Sequence, residues 1–461
     1  MDLKSPGAVL LISCYELGHQ PLGIASPLGF LQRDGYQPAA TDVAVETIDA
    51  EKVARAQFVG ISVPMHTALR MGVQVIERIR EINPECHICC YGLYASLNSD
   101  YLLEHGADSC LGGEYESPLV DLIRTLEEGG STGITGVITP DHAAKPHLER
   151  LPFAVPVRNT LPILEEYAQL EQNGETRTAG YVEASRGCLH LCTHCPIPPV
   201  YEGRFFILPQ DIILADIRNQ VAAGATHITF GDPDFLNGPK HSISVVRAMH
   251  AEFPDLTFDF TAKIEHLLNR GEHLAEFAEA GCLFIITAVE SLSDRVLEIL
   301  DKRHTRADVE EALSVCREAG IPLRPTWVAF TPWTTLDDYL EVLHFVEANG
   351  LIDHIDPVQF AIRLLIPPGS WLADLPETLP YRGELDEAAF TYRWTHPDPR
   401  LDALHKEVSQ LVERDAQAEI DAATTFYRLL ELAHGRDPAE AVCSLPPDRA
   451  RTPRLTETWF C

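Results

Sequence analysis

Short apolar runs bounded by turns alternate with stretches of helical period through the first 130 residues. AVLLIS (8–13), FVGISV (58–63) and HICCYG (87–92) are apolar and β-branched, the character of strands buried on both faces of a parallel sheet. Between and after them, ALRMGVQVIERIREI (68–82) and SPLVDLIRTLEE (117–128) repeat apolar residues at helical spacing. The alternation predicts an α/β fold with a doubly wound, Rossmann-like sheet over residues 1–130, and ligands of such sheets sit at the strand carboxyl ends. Those ends carry SCYELGHQPLG (13–23), SVPMHTA (62–68), YGLYA (91–95) and LGGEYE (111–116). Residues 131–176, with Gly, Thr and scattered prolines, read as a linker.

A second series begins at YVEASRGC (181–188). Strands are expected at THITFGD (226–232), TFDFTAK (257–263), LFIITAVES (283–291), LRPTWVAF (323–330) and DPVQFAIRLLI (356–366). Helical segments fall between them, several ending at Gly, the common C-cap residue. Six βα units predict a partial or full α/β barrel over 177–372. Residues 373–461 form a helical C-terminal region, with one long helix expected over LDALHKEVSQLVERDAQAEIDAATTFYRLLELA, then a Pro-rich end.

Composition narrows the function classes. The 461 residues carry a net charge of −32, which repels nucleic acid and anionic membranes. No run of about 18 apolar residues is present, so no membrane span is expected. MDLKSPGAVLLISCYELG has a short apolar stretch after one lysine, yet reads better as a first buried strand than as a signal peptide; a cytoplasmic location follows. In such a chain, twelve cysteines suggest reduced thiols and metal ligands rather than disulfides. The adjacent Cys89 and Cys90 fall in a strand, so they point to opposite faces and read as two core residues.

One stretch carries chemistry. GCLHLCTHCP (187–196) sets Cys188, Cys192 and Cys195 in the spacing C-x3-C-x2-C. A zinc site wants four ligands and no second C-x2-C half is apparent; a redox pair leaves Cys188 unexplained. Three thiolates on one loop suit a [4Fe–4S] cluster whose fourth iron is open to a small molecule. The loop lies where a βα barrel places its active site.

This loop, after a first barrel strand, resembles the radical S-adenosylmethionine (SAM) superfamily, with His194 where the usual pattern has an aromatic. The resemblance implies that the open iron chelates SAM and that one electron splits a sulfur–carbon bond. It further implies a small-molecule substrate and a reducing partner such as flavodoxin or ferredoxin. In FGDPDF (230–235), Gly231, Asp232 and Asp234 match the motif that holds the methionyl amino group; an Asx turn is the plainer reading. In AVES (288–291), Glu290 and Ser291 match the ribose- and methionine-contacting position; a capping Ser beside a surface Glu is the plainer reading. Leu365 and Ile366 would pass near the adenine.

Residues 1–130 are similar to the cobalamin-binding domains that precede many such barrels. The D-x-H-x-x-G motif is absent, and His19 in CYELGHQPLG is out of place. Either cobalamin binds without a histidine ligand or the domain serves substrate or packing. PPGS and the ending PRLTETWFC resemble the CUAEP/CCAEP-tail radical SAM proteins. That likeness implies a selenocysteine codon read as a stop after Cys461, and a tail thiol at Cys461 able to act on substrate. The radical SAM enzymes of arsinothricin biosynthesis look similar, which offers 3-amino-3-carboxypropyl transfer from SAM to trivalent arsenic as an alternative. A non-catalytic metal- or cobalamin-binding sensor is the reading from another class.

Overall fold

The computed structural model describes residues 1–457; Cys461 lies outside them. The first sheet is built from β1 (Val9–Ser13), β2 (Ala39–Asp42), β3 (Phe58–Ser62), β4 (His87–Tyr91), β5 (Ser109–Leu111) and β6 (Val137–Ile138). Its order is β2-β1-β3-β4-β5-β6, with β1 to β5 parallel and β6 antiparallel at the edge. That is the doubly wound order whose switch point lies between β1 and β3. Cys89 and Cys90 are both fully buried and pack into different clusters, one on each face of the sheet. The short strand β2 was not expected, since AATD carries too few apolar residues to stand out, whereas β5 ends at Leu111, where LGGEYE was placed at a strand carboxyl end.

The second sheet contains β7 (Gln169–Gln172) and β8 (Glu175–Val182), which form a hairpin at one edge. A separate ribbon pairs β9 (Ser185–Gly187) with β10 (Phe205–Ile207). The second sheet continues through β11 (His227–Phe230), β12 (Thr257–Thr261), β13 (Cys282–Glu290) and β14 (Leu323–Trp327). Strands β8, β11, β12, β13 and β14 run parallel in that order, so the sheet is a half-barrel. A small hairpin, β15 (Arg382–Asp386) with β16 (Thr391–Trp394), follows it. The last short strand, β17 (Arg454–Leu455), returns to pair with β7.

Two of the helices on the outside of the half-barrel start at a full capping box. Thr305 and Thr335 each close a capping box with the aspartate three residues on, at the starts of Arg306–Glu318 and Leu336–Ala348. Inside, Phe230, Phe235, Phe260 and Phe277 pack with ring centroids 4.5 to 5.3 Å apart. Truncating one of these rings to alanine would cost about 3–5 kcal/mol. They fix the carboxyl ends of β11 and β12 against each other, beneath the cysteine loop.

Three expectations are corrected. The first barrel strand ends at Val182 instead of running to Cys188, because Ser185–Gly187 turn away to pair with β10. The sixth barrel strand does not form: Pro357–Ala361 is a 3-10 turn, and only the bridge Phe330–Arg363 continues the sheet. Pro357 withholds the donor that a strand start would use. The long C-terminal helix is two helices, Pro399–Gln417 and Ala422–Ala433. Glu419 takes a left-handed φ of 52° and Asp421 caps the second helix through Ala423 N.

Candidate active site

The cysteine loop leaves β9 at Gly187, whose φ is 74°. A Cβ there would stand 2.5 Å from the Arg204 carbonyl and 2.6 Å from the Tyr201 ring, so only glycine fits. The loop is then pinned from two sides. Thr193 N and Oγ1 donate to the carbonyls of Leu300 (3.1 Å) and Ile299 (2.9 Å), and Leu372 N donates to the Thr193 carbonyl (2.9 Å). Cys188 and Cys192 are buried and Cys195 is half-buried; all three are free thiols.

Asn237 Nδ2 donates to Cys188 Sγ at 3.7 Å and Lys263 Nζ to Cys192 Sγ at 3.6 Å. Lys302 is 2% exposed, and its charge acts on Cys192 and Cys195. Burial pushes the thiol of Cys188 up to about 11 and that of Cys195 up to about 12. Protons therefore stay on these sulfurs until a metal displaces them, and the two buried lysines then offset thiolate charge. The other described cysteines lie elsewhere: Cys14, Cys86, Cys89, Cys90 and Cys110 in the first domain, Cys282 and Cys316 in the half-barrel core, Cys443 near the C-terminus. Three neighbouring thiols, with no fourth among the described residues, fit a cluster held at three corners better than a closed zinc site.

Glu290 ends β13 with a left-handed φ of 68° beside a break in register. Its Oε1 lies 3.2 Å from both Lys302 Nζ and His194 Nε2. Burial alone would raise this carboxyl, but Lys302 and His194 hold it down at about 2. Lys302 in turn stays above the usual lysine value, since Glu290 and the thiols outweigh its burial. Ser291 Oγ accepts from Ser293 N at 3.1 Å, a local turn before the helix Asp294–Ile299.

The GDPD segment is used differently. Gly231 lies under Tyr181, whose hydroxyl would stand 2.0 Å from a Cβ at this position. Asp232 accepts from Ala184 N (2.9 Å) and Ser185 Oγ (2.6 Å); burial pushes it up to about 7. It thus secures the turn from β8 into the cysteine loop. Asp234 is fully buried, takes Leu236 N at 3.0 Å on Oδ1, and presents Oδ2 to His190 and His266. Burial would raise Asp234, but the two imidazoles outweigh it and hold the carboxyl below its usual range. Ile366 is buried, with its N donating to Thr391 Oγ1 (3.0 Å) and its carbonyl accepting from Tyr392 N (2.9 Å), so β16 occupies its backbone; Leu365 is half-buried.

The first domain meets the half-barrel close to this loop. Arg186, two residues before Cys188, pairs with Glu116 (2.6 Å) and Glu183 (2.8 Å) and lies 3.7 Å from Glu114. Tyr201 OH donates to Glu114 at 3.0 Å. His19 is buried and stacks on Tyr181 with centroids 4.4 Å apart, and His66 is bonded to the Ala389 carbonyl at 2.7 Å. His19 thus packs on a half-barrel residue, and His66, at the start of the helix His66–Ile82, holds the loop that carries Ala389.

A half-barrel with three free thiols near its strand ends, flanked by buried cations, is a candidate metal–sulfur centre on a βα scaffold. Residues 182–346 match the family described as the Radical SAM superfamily, and this part of the chain is a radical SAM domain. The chain is 27% identical over 294 residues to the tRNA-2-methylthio-N(6)-dimethylallyladenosine synthase of Desulfosudis oleivorans, covering 61% of this chain and 59% of that protein. It is 25% identical over 194 residues to the ribosomal protein uS12 methylthiotransferase RimO of Geobacter sulfurreducens, covering 38% and 41%. The chain thus spans less than two thirds of these relatives.

Among solved structures, the cobalamin-dependent SAM radical enzyme OxsB with aqua-cobalamin bound aligns over 91% of this chain and 68% of its own, with TM-score 0.72 and 16% identity. The radical SAM methyltransferase TsrM from Kitasatospora setae, with cobalamin and a [4Fe–4S] cluster bound, aligns over 74% and 73%, with TM-score 0.61 and 18% identity. These likenesses show the shared fold. Lys263, Lys302 and His266 were not singled out from sequence. Lys263 had a signal, since it ends the strand-like run TFDFTAK (257–263) and so stands at a strand carboxyl end.

Proposed function

We propose that this chain is a radical SAM enzyme that modifies a small molecule. Cys188, Cys192 and Cys195 would hold a [4Fe–4S] cluster, which when bound supplies one electron to SAM and cleaves a sulfur–carbon bond. The observation that carries this reading is the convergence of three free thiols with Lys263 and Lys302. Glu290, held ionised, is suited to accept hydrogen bonds from ribose hydroxyls, with Ser291 beside it. Asp232 acts as a positioning residue, through Ala184 and Ser185, on the chain that leads to Cys188.

A net charge of −32 favours a small substrate over tRNA, although one relative is named for a tRNA modification. An external reducing protein supplies the electron. No helix among the described residues is long and apolar enough to cross a membrane. The first domain would hold cobalamin without a histidine ligand or serve substrate or packing, since the D-x-H-x-x-G motif is absent.

Anaerobic reconstitution tests the reading. About four irons per chain, and SAM consumption that depends on dithionite, are expected. Replacing Cys188, Cys192 or Cys195 by serine removes both. Intact SAM in the presence of a full cluster would overturn the proposal. The nucleoside product, 5′-deoxyadenosine or methylthioadenosine, reports which bond breaks and so separates radical chemistry at carbon from aminocarboxypropyl transfer.

A further inference from the structure

Beside the cysteine loop lies a second set of metal-type donors that the cluster does not use. His190 stands between Cys188 and Cys192, Asp234 follows β11, and His266 lies on the helix Ile264–Asn269 after β12. One ligand atom from each lies within 4.8 Å of the others. Asp234 Oδ2 is 3.3 Å from His190 Nε2 and 2.8 Å from His266 Nδ1.

Both contacts lie within ion-pair distance, but neither has the angle of a well-formed hydrogen bond. Both ring nitrogens are buried without a hydrogen-bond partner, although His190 is only 6% exposed and His266 is largely buried. Their centroids are 4.6 Å apart and the rings are tilted by 55°, so they do not stack. Among the described residues no Arg or Lys pairs with Asp234, because Lys263 turns its ammonium to Cys192. A fully buried carboxylate, touched otherwise only by backbone N–H groups of Leu236 and Lys263, faces two ring nitrogens with no other partner. Donors about 2.1 Å from a tetrahedral ion stand about 3.4 Å apart; the Asp234–His190 spacing of 3.3 Å matches this, and the Asp234–His266 spacing of 2.8 Å would open slightly around an ion.

We infer that His190, Asp234 and His266 form a mononuclear site for a first-row divalent cation of zinc type. Two imidazoles and one carboxylate are the borderline donor set such ions take. Three protein ligands leave at least one coordination position open, as in sites where the ion polarises a bound oxygen. Glu265 completes the arrangement. Its Oε2 is 3.7 Å from His190 Nδ1 and also lacks a hydrogen-bond partner. It is placed to receive the Nδ1 proton, which leaves the Nε2 lone pair for the ion. Asp234 is then a ligand to this ion, not a partner of the methionyl ammonium. The inference does not rest on SAM chemistry, because it concerns residues outside the three cysteines.

The test uses the full chain with its iron cluster reconstituted, desalted and titrated with zinc chloride against a chromophoric chelator. About one zinc per chain is expected, with the iron content unchanged. X-ray absorption at the zinc edge should show only nitrogen and oxygen neighbours, at about 2.0–2.1 Å. His266→Ala should weaken zinc binding by about tenfold or more while keeping iron content and melting temperature. His266→Cys should restore binding and add one sulfur neighbour at about 2.3 Å. A wild-type shell containing sulfur would place the zinc at the cysteines and overturn the proposal. So would substoichiometric zinc in the wild type, or unchanged affinity in His266→Ala; that last result would mean a hydrogen-bonded cluster only.

Discussion

The pair Glu290–Lys302 offers a quantitative check on the electrostatics of the site. Glu290 is held at about 2 against an ordinary value of 4.5, by Lys302 and His194 and despite burial. A difference of about 2.5 pH units corresponds to about 3 kcal/mol of folding stability at neutral pH. The sign is that of a depressed carboxylate. The contribution is complete above pH 4.5 and is lost as pH falls from 4.5 towards 2. Glu290→Gln removes this term and leaves Lys302, 2% exposed, without its carboxylate. Lys302→Met leaves Glu290 facing only His194, and breaking a buried pair from either side costs about 3–5 kcal/mol.

Because both single changes strand a charge, the double variant should lose less than the sum of the two, by at least about 1 kcal/mol. Urea unfolding of the cluster-free protein at pH 7 supplies the four free energies. Repeating the wild-type and Glu290→Gln measurements from pH 7 to pH 3 should show a constant gap that narrows below pH 4.5. Additivity within about 0.5 kcal/mol, or a gap that widens in acid, would refute the assignment of this pair.

Other expectations follow from single contacts. Gly231→Ala would press a methyl onto Tyr181 and disturb its stacking with His19, for a loss of about 1–3 kcal/mol read as a lower melting temperature. Arg186→Met would leave Glu114 and Glu116, both fully buried, without their cation and cost about 3–5 kcal/mol; adding Glu116→Gln should recover part of it. In the wild type, burial pushes Glu114 up to about 7, so its share of stability falls as pH rises from 4.5 to 7, visible as a decline that Glu114→Gln removes.

Much of the parallel framework was legible because buried strands are written as unbroken apolar runs, as in VLLIS and FVGIS. The pattern misled where apolar character outlasted the strand. AIRLLI is as apolar as any central strand, yet the proline before it and its contacts with the hairpin after it hold it irregular. The break at Glu419–Asp421 was hidden because helical spacing continues across it. In the site, Cys188, Cys192 and Cys195 announce themselves by spacing. Lys263 and Lys302 do not, since they reach the thiols from 71 and more residues away and a lone lysine has no signature. Asp232 and Asp234 were visible as a motif, but their partners Ala184, Ser185, His190 and His266 come from other elements and only folding brings them together.

The strand β17 has a consequence in time. It pairs Arg454 with Glu171 and Leu455 with Leu170, while Tyr15 OH donates to Glu457 at 2.5 Å. The half-barrel's outer strand β7 therefore stays unpaired on that side until residue 455 has left the ribosome. A nascent chain would carry the first domain and most of the barrel already folded, with an open strand edge of the kind that invites pairing between molecules. The same few residues then join the barrel's rim to the loop after β1, so a late-emerging segment seals two earlier regions to each other.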